Sequence, residues 1–106
     1  MAEKILVVDD EKEIADLVEV YMKNEGFTVY KFYNAADAWA CVQKEEISLA
    51  LLDVMLPDGD GFALCEWMKQ MHPDKPVIFL TALEDEGNVV HGLSYADDYV
   101  TKPFRT

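Results

Sequence analysis

Residues 49–61, LALLDVMLPDGDG, run from four apolar residues (Leu49–Leu52) into Asp53, then into a segment with Pro57, Gly59 and Gly61. A short apolar run bounded by turn residues reads as a strand buried on both faces. Proline and glycine behind it make Val54–Gly61 a loop. Working outward, the same unit recurs. Lys4–Val8 (KILVV) leads into Asp9 and Asp10, and Thr28–Phe32 (TVYKF) is a second strand. Val77–Leu80 (VIFL) ends at Thr81, and Asp98–Thr101 (DYVT) ends at Lys102-Pro103.

Helical periods fill the intervals. Ile14, Leu17, Val18, Tyr21 and Met22 form one apolar stripe, and Gly26 follows as a left-handed cap. Asn34 is placed to cap a second helix, with Asp37 near its positive end and Ala35, Ala38, Trp39 and Val42 on its inner face. A third helix carries Leu64, Cys65 and Met68 and stops before Pro73. Glu84, Asp85 and Glu86 open a fourth, whose buried face is Val89, Val90 and Leu93. Strand and helix alternating at this spacing mean a doubly wound α/β fold, a five-stranded parallel sheet with helices on both faces.

The composition agrees with one domain. The chain has 106 residues, of which 51% are hydrophobic, enough for one modest core. Nine basic against 21 acidic residues give a net charge of −12, which disfavours direct binding to nucleic acid or an anionic membrane. The same charge suits a hard cation such as Mg²⁺. Cys41 and Cys65 both fall in apolar-periodic stretches, so the expectation is two reduced core thiols rather than a disulfide framework or a zinc site. The N-terminus turns acidic before any long apolar run, and no stretch of about 20 apolar residues exists. The expected location is cytoplasmic, with no membrane partner.

Ligands of open parallel sheets bind at the carboxyl ends of the strands. Asp9, Asp10, Asp53, Thr81 and Lys102 all fall at that edge. Carboxylates brought together repel unless a cation or proton intervenes. Oxygen ligands and retained waters suit Mg²⁺, and beside it a carboxylate can act as nucleophile toward a phosphoryl group. Taken singly, each residue also has an ordinary reading: an aspartate after a strand forms turns or caps, Thr81 can cap a helix, and most lysines lie on the surface. The DGDG run of residues 58–61 looks like a calcium loop, but Phe62 stands where the next oxygen ligand belongs. Trp39 and Trp67 read as helix-face packing residues.

Residues 7–18 (VVDDEKEIADLV), LLDVMLPDGDG, FLTA and DDYVTKPF together resemble the signature segments of the response-regulator receiver domain of two-component signalling. The resemblance runs from Lys4 to Phe104. DDYVTKPF is similar to the OmpR/PhoB-type branch with winged-helix effectors, and the opening residues 4–35 to regulators of inducible vancomycin resistance. The resemblance implies a flavodoxin/CheY-like sheet of order 2-1-3-4-5. It implies Asp53 as phosphoacceptor, with Asp9, Asp10, Asp53 and the Met55 backbone carbonyl around Mg²⁺. Lys102 would pair with the phosphoryl group, Thr81 would be the switch hydroxyl and Tyr99 the switch aromatic, with a cis Lys102-Pro103 bond. The implied partners are a sensor histidine kinase, a second copy through the fourth-helix/fifth-strand face, and DNA only through an effector domain absent from this chain.

Two departures stand out. Tyr95 replaces the glycine usual before Ala-Asp-Asp-Tyr. The chain stops at Thr106, so the final helix and the DNA-binding domain are expected to be missing, leaving apolar sheet surface near the first and last strands uncovered. Two other functions compete. A Mg²⁺-dependent phosphatase with an aspartate nucleophile would need a second aspartate where Met55 stands. A pseudo-receiver binding module would not need the full set Asp10, Asp53, Thr81 and Lys102.

Overall fold

The computed structural model describes residues 3–82 and 98–102. In chain order the elements are β1 (Lys4–Val8), α1 (Lys12–Asn24), β2 (Thr28–Phe32), α2 (Ala35–Lys44) and β3 (Leu49–Asp53). The short strands β4 (Met55–Leu56) and β5 (Gly59–Asp60) follow, then α3 (Gly61–Met71), β6 (Val77–Ala82) and β7 (Asp98–Lys102). The expected fourth helix, Tyr95 and Pro103 lie outside the described residues.

Five strands make one sheet in the order β2-β1-β3-β6-β7, and every neighbouring pair is parallel. Counting only the sheet's own strands, this is the expected 2-1-3-4-5 order. The difference lies at 54–61, read from sequence as a loop. Its centre is an antiparallel hairpin with Met55 opposite Asp60 and Leu56 opposite Gly59. Pro57 and Asp58 form its turn, residue types that favour tight reversals.

Successive side chains of a strand point to opposite faces, so each apolar strand feeds two cores. Leu6, Val8, Ala50, Leu52 and Phe79 pack with Ala38 and Val42 of α2 and Leu64, Cys65 and Met68 of α3. Phe79 is fully buried and meets Phe62 edge-on, with ring centroids 5.0 Å apart. On the other face Ile5, Val7, Leu51 and Leu80 pack with Ala15 and Val18 of α1. Both faces carry helices, as a doubly wound sheet requires.

α1 ends as its sequence suggests. Gly26 has φ +94°, and the Phe27 N–H reaches back to the Met22 carbonyl at 3.1 Å, closing the helix with a left-handed residue. The stripe of α1 is narrower than its period suggests, because Tyr21 is 42% exposed. Tyr21 instead borders a cleft of about 290 Å³ with Val18, Met22, Leu49, Leu51, Ile78 and Leu80, a lining without polar surface. Across the sheet, Trp39 of α2 and Trp67 of α3 pack against each other at 5.4 Å between ring centroids.

Candidate functional site

Each of the central strands delivers a polar residue where its apolar run ends. β1 hands over to Asp9, which is fully buried. Its N–H donates to the Phe32 carbonyl at the end of β2 (3.1 Å), and its Oδ1 accepts the Glu11 N–H at 2.9 Å. The second bond lets Asp9 shape the entry to α1, whose N-cap residue Glu11 makes no side-chain cap of its own. Asp10 follows and is exposed. Asp53 ends β3 with only 6% of its surface exposed.

Register brings these ends level. Val8 lies opposite Leu52, so Asp9 and Asp53 are both one step beyond that pair. One carboxylate oxygen from each of Asp9, Asp10 and Asp53 lies within 4.8 Å of the others. Octahedral Mg²⁺ has ligands at 2.0–2.1 Å, so its ligand oxygens sit roughly 3–4 Å from one another. The donor set and its spacing therefore fit a hard divalent cation.

The other expected residues are placed by backbone register. Asp53 pairs with Leu80, so Thr81 stands one residue beyond the partner of Asp53. Lys102 is opposite Ala82 at the same edge, while Tyr99 is opposite Phe79, further back along the sheet. Met55 is in β4, at the base of the hairpin that leaves Asp53.

Two residues of this region were not singled out from the sequence. Gly61 begins α3 with its N–H on the Val54 carbonyl at 2.8 Å. A Cβ at Gly61 would run into the backbone carbonyl of Asp53, so only glycine lets α3 start this close to the end of β3. The second is Asp58 at the hairpin tip. Its Oδ1 accepts the Ala35 N–H at 2.8 Å and its Oδ2 the Ala36 N–H at 3.0 Å, both at the start of α2. Those bonds hold the Asp58 carboxyl below the usual carboxylate range. Nothing local announces this role, because the partners are more than 20 residues away. α2 also has the local cap expected of it, with Asn34 Oδ1 accepting the Asp37 N–H at 2.8 Å.

A further charge network flanks the site. Lys31 Nζ donates to Asp16 at 2.7 Å and to Glu19 at 3.1 Å, which raises the lysine and lowers Asp16. Tyr33 donates to Asp16 at 3.1 Å, and its ring lies 5.4 Å from Lys12 Nζ and 5.7 Å from Lys31 Nζ.

A doubly wound parallel sheet whose strand ends gather a cluster of carboxylates defines an α/β domain with its acidic residues at the edge where ligands of such sheets bind. Residues 5–106 match the response regulator receiver domain, and the chain belongs to that family. It is 52% identical over 106 residues to the regulatory protein VanR of Enterococcus faecium, covering 99% of this chain and 46% of that protein. It is 56% identical over 105 residues to the regulatory protein VanRc of Enterococcus gallinarum, covering 98% of this chain and 45% of that protein. The chain thus spans about half the length of these relatives. Among solved structures, the BeF3-activated DrrB receiver domain superposes with a TM-score of 0.89 at 40% identity, covering 99% of this chain and 88% of that one. The chain is a signalling domain of the response-regulator kind rather than a conventional enzyme. No helix among the described residues is long and apolar enough to cross a membrane.

Proposed function

We propose that this domain is a phosphorylation-controlled switch that accepts a phosphoryl group on Asp53. The observation that carries the reading is the gathering of Asp9, Asp10 and Asp53 at the carboxyl end of a receiver-family sheet. A carboxylate oxygen of Asp53 attacks phosphorus, forming a P–O bond as the P–N bond of a phosphohistidine breaks. The departing imidazole nitrogen keeps the electron pair. Asp9, Asp10, Asp53 and the Met55 carbonyl would hold Mg²⁺, which when bound sets positive charge against the phosphoryl oxygens. Lys102 adds a second positive charge, and Thr81 donates a hydrogen bond to the phosphoryl group. Tyr99 follows the movement of Thr81. Water attack on the acyl phosphate then resets the switch.

The donor is a sensor histidine kinase, and the domain itself works in the cytoplasm. The likeness to VanR and VanRc supports a winged-helix transcription factor as the parent protein, with a role in vancomycin resistance. At a net charge of −12 the domain reaches DNA only through that effector. Phosphorylation alters self-association through the fourth-helix and β7 face. The apolar cleft beside Tyr21 supports a further helix of the parent protein, following this domain and seated there.

Intact mass after incubation with Mg²⁺ and acetyl phosphate tests the reading. Wild type gains one phosphoryl group and Asp53→Asn gains none. Labelling of Asp53→Asn to the wild-type extent would overturn the assignment.

A further inference from the structure

Asp58 is bound to two N–H groups of a helix that already has its own cap in Asn34. The consequence of its two bonds is a cross-link between separate parts of the molecule. At one end is the hairpin that begins directly after Asp53 and is closed at its base by the Gly61–Val54 bond. At the other is the start of α2, three residues beyond Phe32, whose carbonyl accepts the Asp9 N–H. The circuit therefore runs from Asp53 through the hairpin to Asp58, on to Ala35 and Ala36, back through Phe32 to Asp9, and so to the carboxylate cluster.

We propose that Asp58 is a positioning residue for the acidic site, clamping the hairpin after Asp53 to the start of α2, which directly follows the β2 end that anchors Asp9. This rests on the reading of the site as a Mg²⁺-dependent phosphoacceptor. Sheet pairing fixes the strand ends themselves, with Asp53 opposite Leu80. Among the described residues the hairpin is held by its own two-pair ladder, the Gly61 bond, the packing of buried Val54 and Leu56 into the core, and the Asp58 clamp, which is the part that fixes its tip. Met55, which the proposed function places at the metal, is in that hairpin. Without the clamp the Met55 backbone samples a wider range of positions, and a ligand that must be ordered on binding weakens the site.

The experiment compares wild type with Asp58→Ala, Asp58→Asn and Asn34→Ala. Asn34→Ala removes the other cap of the same helix end without touching the hairpin, so it reports what loss of helix capping alone does. Mg²⁺ affinity is measured by calorimetry and the initial rate of phosphorylation by intact mass with acetyl phosphate. Both are read at a temperature where circular dichroism shows all four proteins folded. Asp58→Ala is expected to bind Mg²⁺ about tenfold more weakly and to be phosphorylated correspondingly more slowly at subsaturating Mg²⁺. Asp58→Asn, which keeps an acceptor oxygen for the Ala35 N–H, should recover to within about twofold of wild type. Asn34→Ala should melt earlier yet bind Mg²⁺ as wild type does. Equal Mg²⁺ affinities for Asp58→Ala and wild type, or equal losses in Asp58→Ala and Asn34→Ala, would overturn the inference while the receiver reading stands. A wild type that binds no Mg²⁺ and takes no phosphoryl group would overturn both.

Discussion

Replacing Gly61 by alanine tests whether the start of α3 is as tightly fitted to Asp53 as the structure indicates. The new Cβ would meet the Asp53 carbonyl oxygen, with the Asp53 carbonyl carbon at 3.0 Å and Val54 Cα at 3.1 Å. All three are backbone atoms of a strand end and its exit, so none can swing aside like a side chain. Comfortable heavy-atom contact begins near 3.5 Å, so the first turn of α3 must retreat by about 1 Å. Overpacking of this kind costs about 1–3 kcal/mol. The entropic advantage of alanine over glycine in the unfolded chain offsets only about 0.4–1 kcal/mol of that. For a domain near 100 residues, a net loss of 1–2 kcal/mol lowers Tm by roughly 4–16 °C. Gly26→Ala is the matched control. Its Cβ would meet no atom within 4 Å, and only its φ of +94° opposes alanine, a backbone penalty of about 1–2 kcal/mol. Both variants should melt early, but only Gly61→Ala should also slow phosphorylation by acetyl phosphate, because only its strain bears on Asp53. Thermal melts and intact-mass time courses on the same samples separate the two. A Gly61→Ala protein that melts with wild type and is labelled at the wild-type rate would refute the packing argument.

Added Mg²⁺ should raise Tm, by the equivalent of about 2.7 kcal/mol at a hundredfold excess over Kd, and Asp10→Ala should lose most of the rise; an equal rise in the variant would place the cation elsewhere. The Asp16 carboxyl is held low by its hydrogen bond from Lys31. Its stabilising contribution is therefore present above the ordinary aspartate value of 3.8 and lost as pH falls through the lower folded-state value. Asp16→Asn should flatten the fall of Tm as pH drops below the ordinary aspartate value of 3.8, and an unchanged slope would remove Asp16 from the account. Extending the chain by about 15 residues of the parent protein, one ordinary helix, should raise Tm and reduce binding of a hydrophobic dye; equal melting and equal dye binding would show that the cleft beside Tyr21 stays uncovered.

The strands and the three described helices were legible because each buries a regular apolar pattern. Residues 4–8 and 28–32 read as strands, and those are the strand limits. Leu64, Cys65 and Met68 fall on the buried face of α3 as their spacing requires. The carboxylate cluster was legible for a topological reason: in a parallel sheet all strands end at one edge, so Asp9, Asp10 and Asp53 meet there without any local motif. The hairpin of 54–61 was not legible, because a two-pair ladder has too few residues to show alternation. Asp58 and Gly61 were set aside with the DGDG run, whose local pattern points to a cation. Their roles come from partners distant in sequence, the N–H groups of Ala35 and Ala36 for one and the strand end at Asp53 for the other. Tyr21 fits the helical period of α1 yet is exposed, because a period identifies a face and not how much of that face is covered.

The carboxylate cluster also explains why such a site acts on its surroundings. Carboxylates gathered within 4.8 Å of one another repel when they are charged. On the proposed function a cation would relieve the repulsion, and a phosphoryl group on Asp53 would renew it with added negative charge. The response passes to whatever is fastened to the cluster. β1 and β3 are central strands packed on both faces and yield little. Among the described residues the part best placed to move is the tip of the hairpin, fastened to α2 through Asp58. In a rigid sheet with charged strand ends, the loops at one edge are where a change of charge becomes a change of surface.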